Sequence, residues 1–471
     1  MASLDLSNEQ FRSLAEQVTK TAADYLQGLD SRPVAPKTTG PESQDLFTEN
    51  LPEQGIGEEA LRSLVQIAEN CRNQNGRFFA YVLGSGEPVG ALADLMASVL
   101  NQNVTAWRSS PAAVNIEKTV VGWLAQAIHC KDFTGSLTGG GSSANLMGLA
   151  MAREAKLGSN EKGLFSMQPC MVYTSEEVHM SIAKSIALLG IGRDNLRLIQ
   201  TDEKFHLIPE KLDQAMTRDR EAGRLPMAVV ATAGTVNTGA VDSLAEIATI
   251  AKKHDTWFHV DGAYGALAAM ATPARFRGMD QANSISLDAH KWLYQPLDCG
   301  CLLFRDSDAA RKAFSHTGDY ARSLSSDPIE GFAFFDESIE LSRRFRSLKL
   351  WLSLRYHGLN AFRDSIKKDL AQARRLAEAV VGEPRLELLA PIELSAVCFR
   401  YLGSGGRTEA ELNRLNAAIL SRVNQRGRVY LSNASIRAKF CLRACIVNHR
   451  TTDADVDCVI PEVLEAASGV L

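Results

Sequence analysis

The chain has 471 residues, 45% apolar and 23% charged, with a formal net charge of -4. That balance implies a soluble globular protein with a large core in two or three domains, and scattered Lys and Arg argue against nucleic acid or an anionic membrane as a partner. No apolar run approaches the roughly 20 residues of a membrane span. Nine irregularly spaced cysteines, with no metal-type CxxC pair and no secretory leader, read as reduced thiols in a cytoplasmic protein that holds no metal.

Phe11, Leu14, Val18, Ala22, Tyr25 and Leu29 recur at helical spacing, which predicts an amphipathic helix ending before Ser31-Arg32-Pro33. The Pro- and Gly-bearing stretch that follows, to about Leu51, reads as extended. A largely apolar helix over 91–100 leads into a polar turn from Asn101 to Trp107, whose amides need hydrogen-bond partners. Ser110-Pro111 then opens a helix with Ile116, Val120 and Leu124 on one side.

Thr138-Gly-Gly-Gly-Ser-Ser-Ala-Asn follows a short candidate strand and starts a helix rich in Leu, Met and Ala. Glycines free the backbone to turn, and Ser142 or Ser143 can cap the helix, so Gly140, Gly141 and Ser142 form a candidate phosphate cradle. A plain strand-to-helix turn is the alternative. No Lys follows the glycines as in a nucleotide P-loop, and no spaced GxGxxG is present.

From Cys170 to Phe304 strands and helices alternate, with Asp242 read as the cap of a helix bearing Leu244, Ile247, Ala248 and Ala251. Such alternation predicts an α/β fold with a mostly parallel sheet covered on both faces, and ligands bind beyond its strand ends, where His179, Thr235, Asp261 and Lys291 fall. Asp261 ends an apolar strand, Trp257-Phe-His-Val-Asp, where a buried acid needs a cationic partner. Lys291 ends another, Ser284-Ile-Ser-Leu-Asp-Ala-His-Lys, and a partly desolvated lysine is suited to forming a Schiff base with a carbonyl. An imine partner and an acid for a pyridinium nitrogen are the two anchors of pyridoxal phosphate. After about Arg343, helices and strands predict a smaller α+β domain, giving a helical and extended segment 1–85, a large domain 86–355 and a small domain 356–471.

Asp-Ala-His-Lys291-Trp, His-Val-Asp261-Gly-Ala-Tyr and Arg343-Arg-Phe-Arg-Ser-Leu-Lys-Leu-Trp resemble the group II pyridoxal-phosphate decarboxylases, the aromatic-L-amino-acid decarboxylase family, from about Phe11 to the C-terminal region. The resemblance implies fold type I, a homodimer on which the N-terminal segment packs across subunits, and decarboxylation of an L-amino acid. It implies that His179 stacks on the cofactor ring with Ala263 on the opposite face, and that Asp288 and His290 join the cofactor site. It further places Gly84, Asn103 and Thr105 at the substrate pocket, the last two from the neighbouring subunit where the aromatic-acid enzymes carry apolar residues, so a more polar pocket is expected. Counting back from Arg343 puts Phe334 where the family's mobile loop carries a proton-donating Tyr. Phenylalanine has no proton to give, which raises an oxidative alternative yielding an aldehyde, unless Tyr320, His179 or water serves.

Overall fold

The computed structural model describes residues 4–316, 327–403 and 405–470. Seven strands, β1 (Thr134–Thr138), β2 (Cys170–Ser175), β3 (Leu196–Ile199), β4 (Leu225–Thr232), β5 (Trp257–Asp261), β6 (Ser284–Asp288) and β7 (Gly300–Phe304), form one sheet in the order β1-β7-β6-β5-β4-β2-β3. The run from β3 through β2, β4 and β5 to β6 is parallel. The helices Met180–Leu188, Pro209–Glu221 and Leu244–Lys253 supply crossovers long enough to return the chain to the same edge. β7 departs from that pattern and runs antiparallel to both neighbours. Only a helical turn, Ala289–Trp292, and a short loop separate it from β6, too little chain for a parallel crossover.

Central strands read as near-continuous apolar runs because both faces are covered, as in Val229, Val230 and Ala231. One face packs with Leu244, Ile247 and Phe362, the other with Met147, Met151, Ile182 and Ile186. Asp242 does not cap its helix. Ser243 holds the cap position, and the Asp242 carboxylate accepts Thr232 N–H at 2.7 Å and Leu207 N–H at 2.8 Å, tying two segments together. Burial pushes this carboxyl up to about 6, against the pull of those two amides.

The second sheet has strands β8 (Leu386–Leu388), β9 (Ala396–Tyr401), β10 (Ser432–Ile436) and β11 (Lys439–Cys445) in the antiparallel order β10-β11-β9-β8. Arg437 and Ala438 turn β10 into β11 with φ of 48° and 65°, the left-handed pair a two-residue hairpin needs. Val429 precedes β10 as a buried residue. The helix Ser347–Val381 spans both sheets and breaks at Gly358, whose φ is 76°.

Near the N-terminus the predicted amphipathic helix is Asn8–Gln27, capped by Ser7, and it buries none of its residues within this chain. The stretch expected to be extended holds a helix instead, Gly40–Phe47. Thr39 and Glu42 form a capping box with Pro41 in the first turn, which outweighs the Gly and Pro content that pointed the other way.

Candidate active site

Lys291 sits in the helical turn that ends β6, and its Nζ lies 3.1 Å from Asp288 Oδ2. His290 Nε2 is 3.6 Å from the same oxygen, while its Nδ1 faces the Cys299 carbonyl at 3.1 Å. Asp288 Oδ1 is buried without a partner among the described residues. One strand over, Asp261 ends β5 and is met by donors alone. Ala263 N–H and Ser286 Oγ reach its Oδ1, each at 3.2 Å, and Asn145 Nδ2 reaches Oδ2 at 3.0 Å. Three donors with no acceptor make this the setting of an ionised carboxylate.

Backbone close approach builds the opposite wall. Gly140, at φ 130°, is the N-cap of the helix Gly141–Leu157, and a Cβ on Gly141 would fall 2.6 Å from Ala263 Cβ and 3.0 Å from Asp288 Oδ2. Neither Ser142 nor Ser143 caps that helix, so its first amides are left for another acceptor. His179 caps the next helix, Met180–Leu188, and its Nδ1 accepts Ser181 N–H at 3.2 Å. Burial lowers its imidazole below the usual range, against the attraction of Asp261. His290 is lowered in the same way by burial.

These groups face one cavity of about 420 Å³, lined by Gly140, Gly141, Ser142, His179, Asp261, Ala263, Asp288, His290 and Lys291. A volume in this range suits a small cofactor with part of a substrate. The donor set suits pyridoxal phosphate on three counts: a primary amine, a carboxylate prepared for a cationic ring nitrogen, and helix-start amides for a phosphate.

A model of the pyridoxal-dependent decarboxylase conserved domain matches residues 41–402. The chain belongs to the pyridoxal-dependent decarboxylase family. It is 35% identical to the aromatic-L-amino-acid decarboxylase of Bacillus atrophaeus, covering 96% of this chain and 94% of that one. It is 31% identical to the phenylacetaldehyde synthase of Petunia hybrida, with 94% and 90% covered. The Oryza sativa TDC structure with PLP and tryptamine superposes with a TM-score of 0.92 at 27% identity over 99% of both chains. The protein is thus a pyridoxal-phosphate-dependent amino-acid decarboxylase of fold type I.

Several positions expected at the site stand elsewhere. Thr235 is fully buried, but its Oγ1 serves its own turn, 2.8 Å from Thr238 Oγ1 and accepting Ala240 N–H at 3.1 Å. Its neighbours Thr232 and Gly234 line the cavity instead. Phe334 is fully buried in a separate cluster with Val104, Val114 and Phe345, the Arg343 guanidinium 4.2 Å from its ring centroid. It is therefore a core residue of this chain, and the oxidative alternative drawn from it loses its basis. Tyr320 lies outside the described residues.

Asn103 spends its carbonyl oxygen on Arg343 N–H at 2.9 Å, and the Arg343 side chain grips the Val104 carbonyl at 2.8 Å. Thr105 Oγ1 is buried with no partner among the described residues. Gly84 donates its N–H to the His290 carbonyl at 3.0 Å, and any Cβ there would strike the carbonyls of His290 and Lys291, so it supports the lysine turn from behind. Asn145, Thr232, Arg443, Tyr81, Val82 and Leu297 also line the cavity and were not singled out in the sequence. Of these only Asn145 stood within a quoted motif, one helical turn after Gly141.

Proposed function

We propose that Lys291 would hold pyridoxal phosphate through its amine, with Asp261 set to meet the ring nitrogen and His179 and Ala263 set to flank the ring. Gly140, Gly141 and Ser142 take the phosphate at the helix start, beside His290, and Asp288 holds the lysine amine. The bound cofactor supplies an electron sink for the pair left at the α-carbon when the carboxylate departs. Asp261, held by its three donors, would keep the ring nitrogen protonated. His179 closes one side of the cavity and presents an imidazole to the incoming substrate. Arg443, buried and reaching the cavity from β11, draws the substrate's carboxylate inward. With Phe334 in the core, the proton that ends the reaction at the α-carbon is assigned to His179 or Tyr320, and the product is the amine.

The observation that carries this reading is the shared cavity, in which the amine of Lys291, the acceptor Asp261 and the glycine cradle meet. Tyr81, Val82, Tyr264 and Leu297 give it apolar surface. Together with the aromatic substrates named for its relatives, this supports an aromatic L-amino acid as substrate. The test is incubation of purified holoenzyme with single amino acids, aromatic and acidic, assaying carbon dioxide, amine, aldehyde and peroxide together. Carbon dioxide and amine in equal amounts are expected, and Lys291→Ala should release neither while keeping its circular dichroism. Turnover in that variant at the wild-type rate sinks the assignment.

The proposal includes a homodimer. Phe11, Val18 and Leu26 on the first helix and Leu92, Leu95, Met96 and Val99 on the helix Pro88–Leu100 leave apolar side chains exposed, a pattern suited to an interface between copies. Light scattering of the active enzyme that returned a single 51.3 kDa chain would remove this part. Nine free cysteines fit a reducing compartment, and no described helix is long and apolar enough to cross a membrane, so the cytoplasm completes the reading.

A further inference from the structure

Behind Asp261 runs a buried chain of polar groups whose proton directions can be counted. Trp257 Nε1 can only donate, and it donates to Ser284 Oγ at 2.9 Å. At the other end Asn145 Nδ2 places its two protons on Asp261 Oδ2 and Ser181 Oγ, both at 3.0 Å. Asn145 Oδ1 then faces His259 Nε2 at 2.9 Å, and two acceptors cannot share that gap. His259 is fully buried, and burial pushes its imidazole down to about 4 despite the pull of Asp261. A neutral ring carries one proton, and the count puts it on Nε2. Nδ1 is left bare, to accept the Ser284 hydroxyl at 2.8 Å. The ring has no slack in which to turn, since a Cβ on Gly148 would lie 2.7 Å from both its Cε1 and its Nδ1.

The same count extends to His179. Its Nδ1 accepts Ser181 N–H and lies 2.8 Å from Ser181 Oγ. Because Nδ1 takes that amide hydrogen it carries none of its own, so the Ser181 hydroxyl, which accepts from Asn145, turns its hydrogen to Nδ1 and the proton of the neutral imidazole stands on Nε2. Reversing the Asn145 amide would set its oxygen against the Asp261 carboxylate and its NH₂ against the Nε2–H of His259. One amide thus meets Asp261 directly and His179 through the Ser181 hydroxyl.

We propose that Asn145 is a positioning residue, locked in a single amide orientation by the Nε2–H tautomer of His259, which fixes Asp261 as an acceptor for the cofactor's ring nitrogen and His179 as an Nε2–H donor toward the substrate. The inference rests on Asp261 meeting that nitrogen, whereas the two histidine tautomers do not. The first test is ¹⁵N NMR of histidine-labelled wild-type apoenzyme. His259 and His179 should both show a protonated Nε2 and a bare Nδ1, and a proton on Nδ1 of His259 overturns the proposal. The second is fluorescence titration of apoenzyme with pyridoxal phosphate. His259→Leu, which gives Asn145 no donor, should bind about 10- to 100-fold more weakly, the value of one hydrogen bond to a charged group. His259→Gln keeps a donor and an acceptor and should recover most of that affinity. Wild-type affinity in the Leu variant, or a folded Gln variant as weak as Leu, overturns the relay; if the Leu variant does not fold, the wild-type tautomer decides alone. Asp261→Asn is the separate control: wild-type affinity there would remove the ring-nitrogen assignment and leave the tautomer result standing.

Discussion

Replacing Asp261 with Asn keeps the shape of the side chain and changes what it can accept. In the wild type Oδ1 takes Ala263 N–H and Ser286 Oγ, and Oδ2 takes Asn145 Nδ2. An amide has one oxygen, which best serves the first pair and turns its NH₂ onto the NH₂ of Asn145. One donor left facing a donor in a buried site costs about 1–3 kcal/mol of apoenzyme stability. Losing the charge that keeps the ring nitrogen protonated should cost more, on the order of 10²- to 10³-fold in kcat, or about 3–4 kcal/mol in barrier. Thermal unfolding of the apoenzyme and steady-state amine release read the two costs separately. Adding Asn145→Asp gives the new NH₂ an acceptor but takes a donor from Ser181 Oγ, so the double variant should regain part of the stability and none of the turnover. A single variant within about threefold of the wild-type rate, or a double variant no more stable than the single, would refute this account of Asp261.

Phe334→Tyr inserts a hydroxyl into the cluster of Val104, Val114 and Phe345 and should cost about 1–3 kcal/mol of stability with no change in product; a shift in the ratio of amine to aldehyde would return this residue to the chemistry. Gly141→Ala should weaken cofactor binding at least tenfold, because its Cβ overlaps Ala263 Cβ, and equilibrium dialysis that finds wild-type affinity contradicts the cradle. Burial raises the Asp369 carboxyl from 3.8 to about 7, against the lowering effect of the Tyr294 hydroxyl. The folded state therefore holds this proton more tightly than the unfolded chain. Its contribution is complete below about pH 4 and falls away as pH rises to 7, at about 1.4 kcal/mol per pH unit. Thermal unfolding of Asp369→Asn across that window should show a shallower slope, and a slope equal to that of the wild type refutes the assignment.

What could be read from the sequence was what local pattern carries. Lys291 and Asp261 each end a short apolar run, and the glycines of the cradle mark a strand-to-helix turn, so strand ends and site residues appeared together. The partners of Asp261 could not be read that way. Asn145 lies 116 positions from it, and nothing in the sequence near Asp261 indicates which distant amide will meet it. Arg443 reaches the cavity from the other sheet, which only the packing of the two sheets reveals. Phe334 was misplaced because counting across a loop assumes that sequence offset tracks position, whereas a large apolar side chain follows the nearest core. Asp242 shows the limit of cap signals: an acid before a helix was read as serving its own segment, and the fold uses it to tie together two others. The helix Gly40–Phe47 was legible, since Thr39 and Glu42 stand at capping-box spacing, but the surrounding Pro and Gly obscured it.

The break at Gly358 makes one long helix into two rods meeting at an angle. The first rod is fastened to the helix Pro88–Leu100 by Lys349, whose Nζ lies 2.9 Å from Asp94 Oδ2, and the second to the C-terminal segment by Gln372, whose amide reaches the Thr451 carbonyl at 3.0 Å. Lys291 belongs to the sheet under the first rod and Arg443 to the sheet under the second. The break falls between these two attachments, at a residue with open space around it but a φ of 76° that other residues adopt only under strain. A side chain at 358 would meet no atom within 4 Å, so the whole cost of placing one there falls on the backbone torsion that joins the two rods.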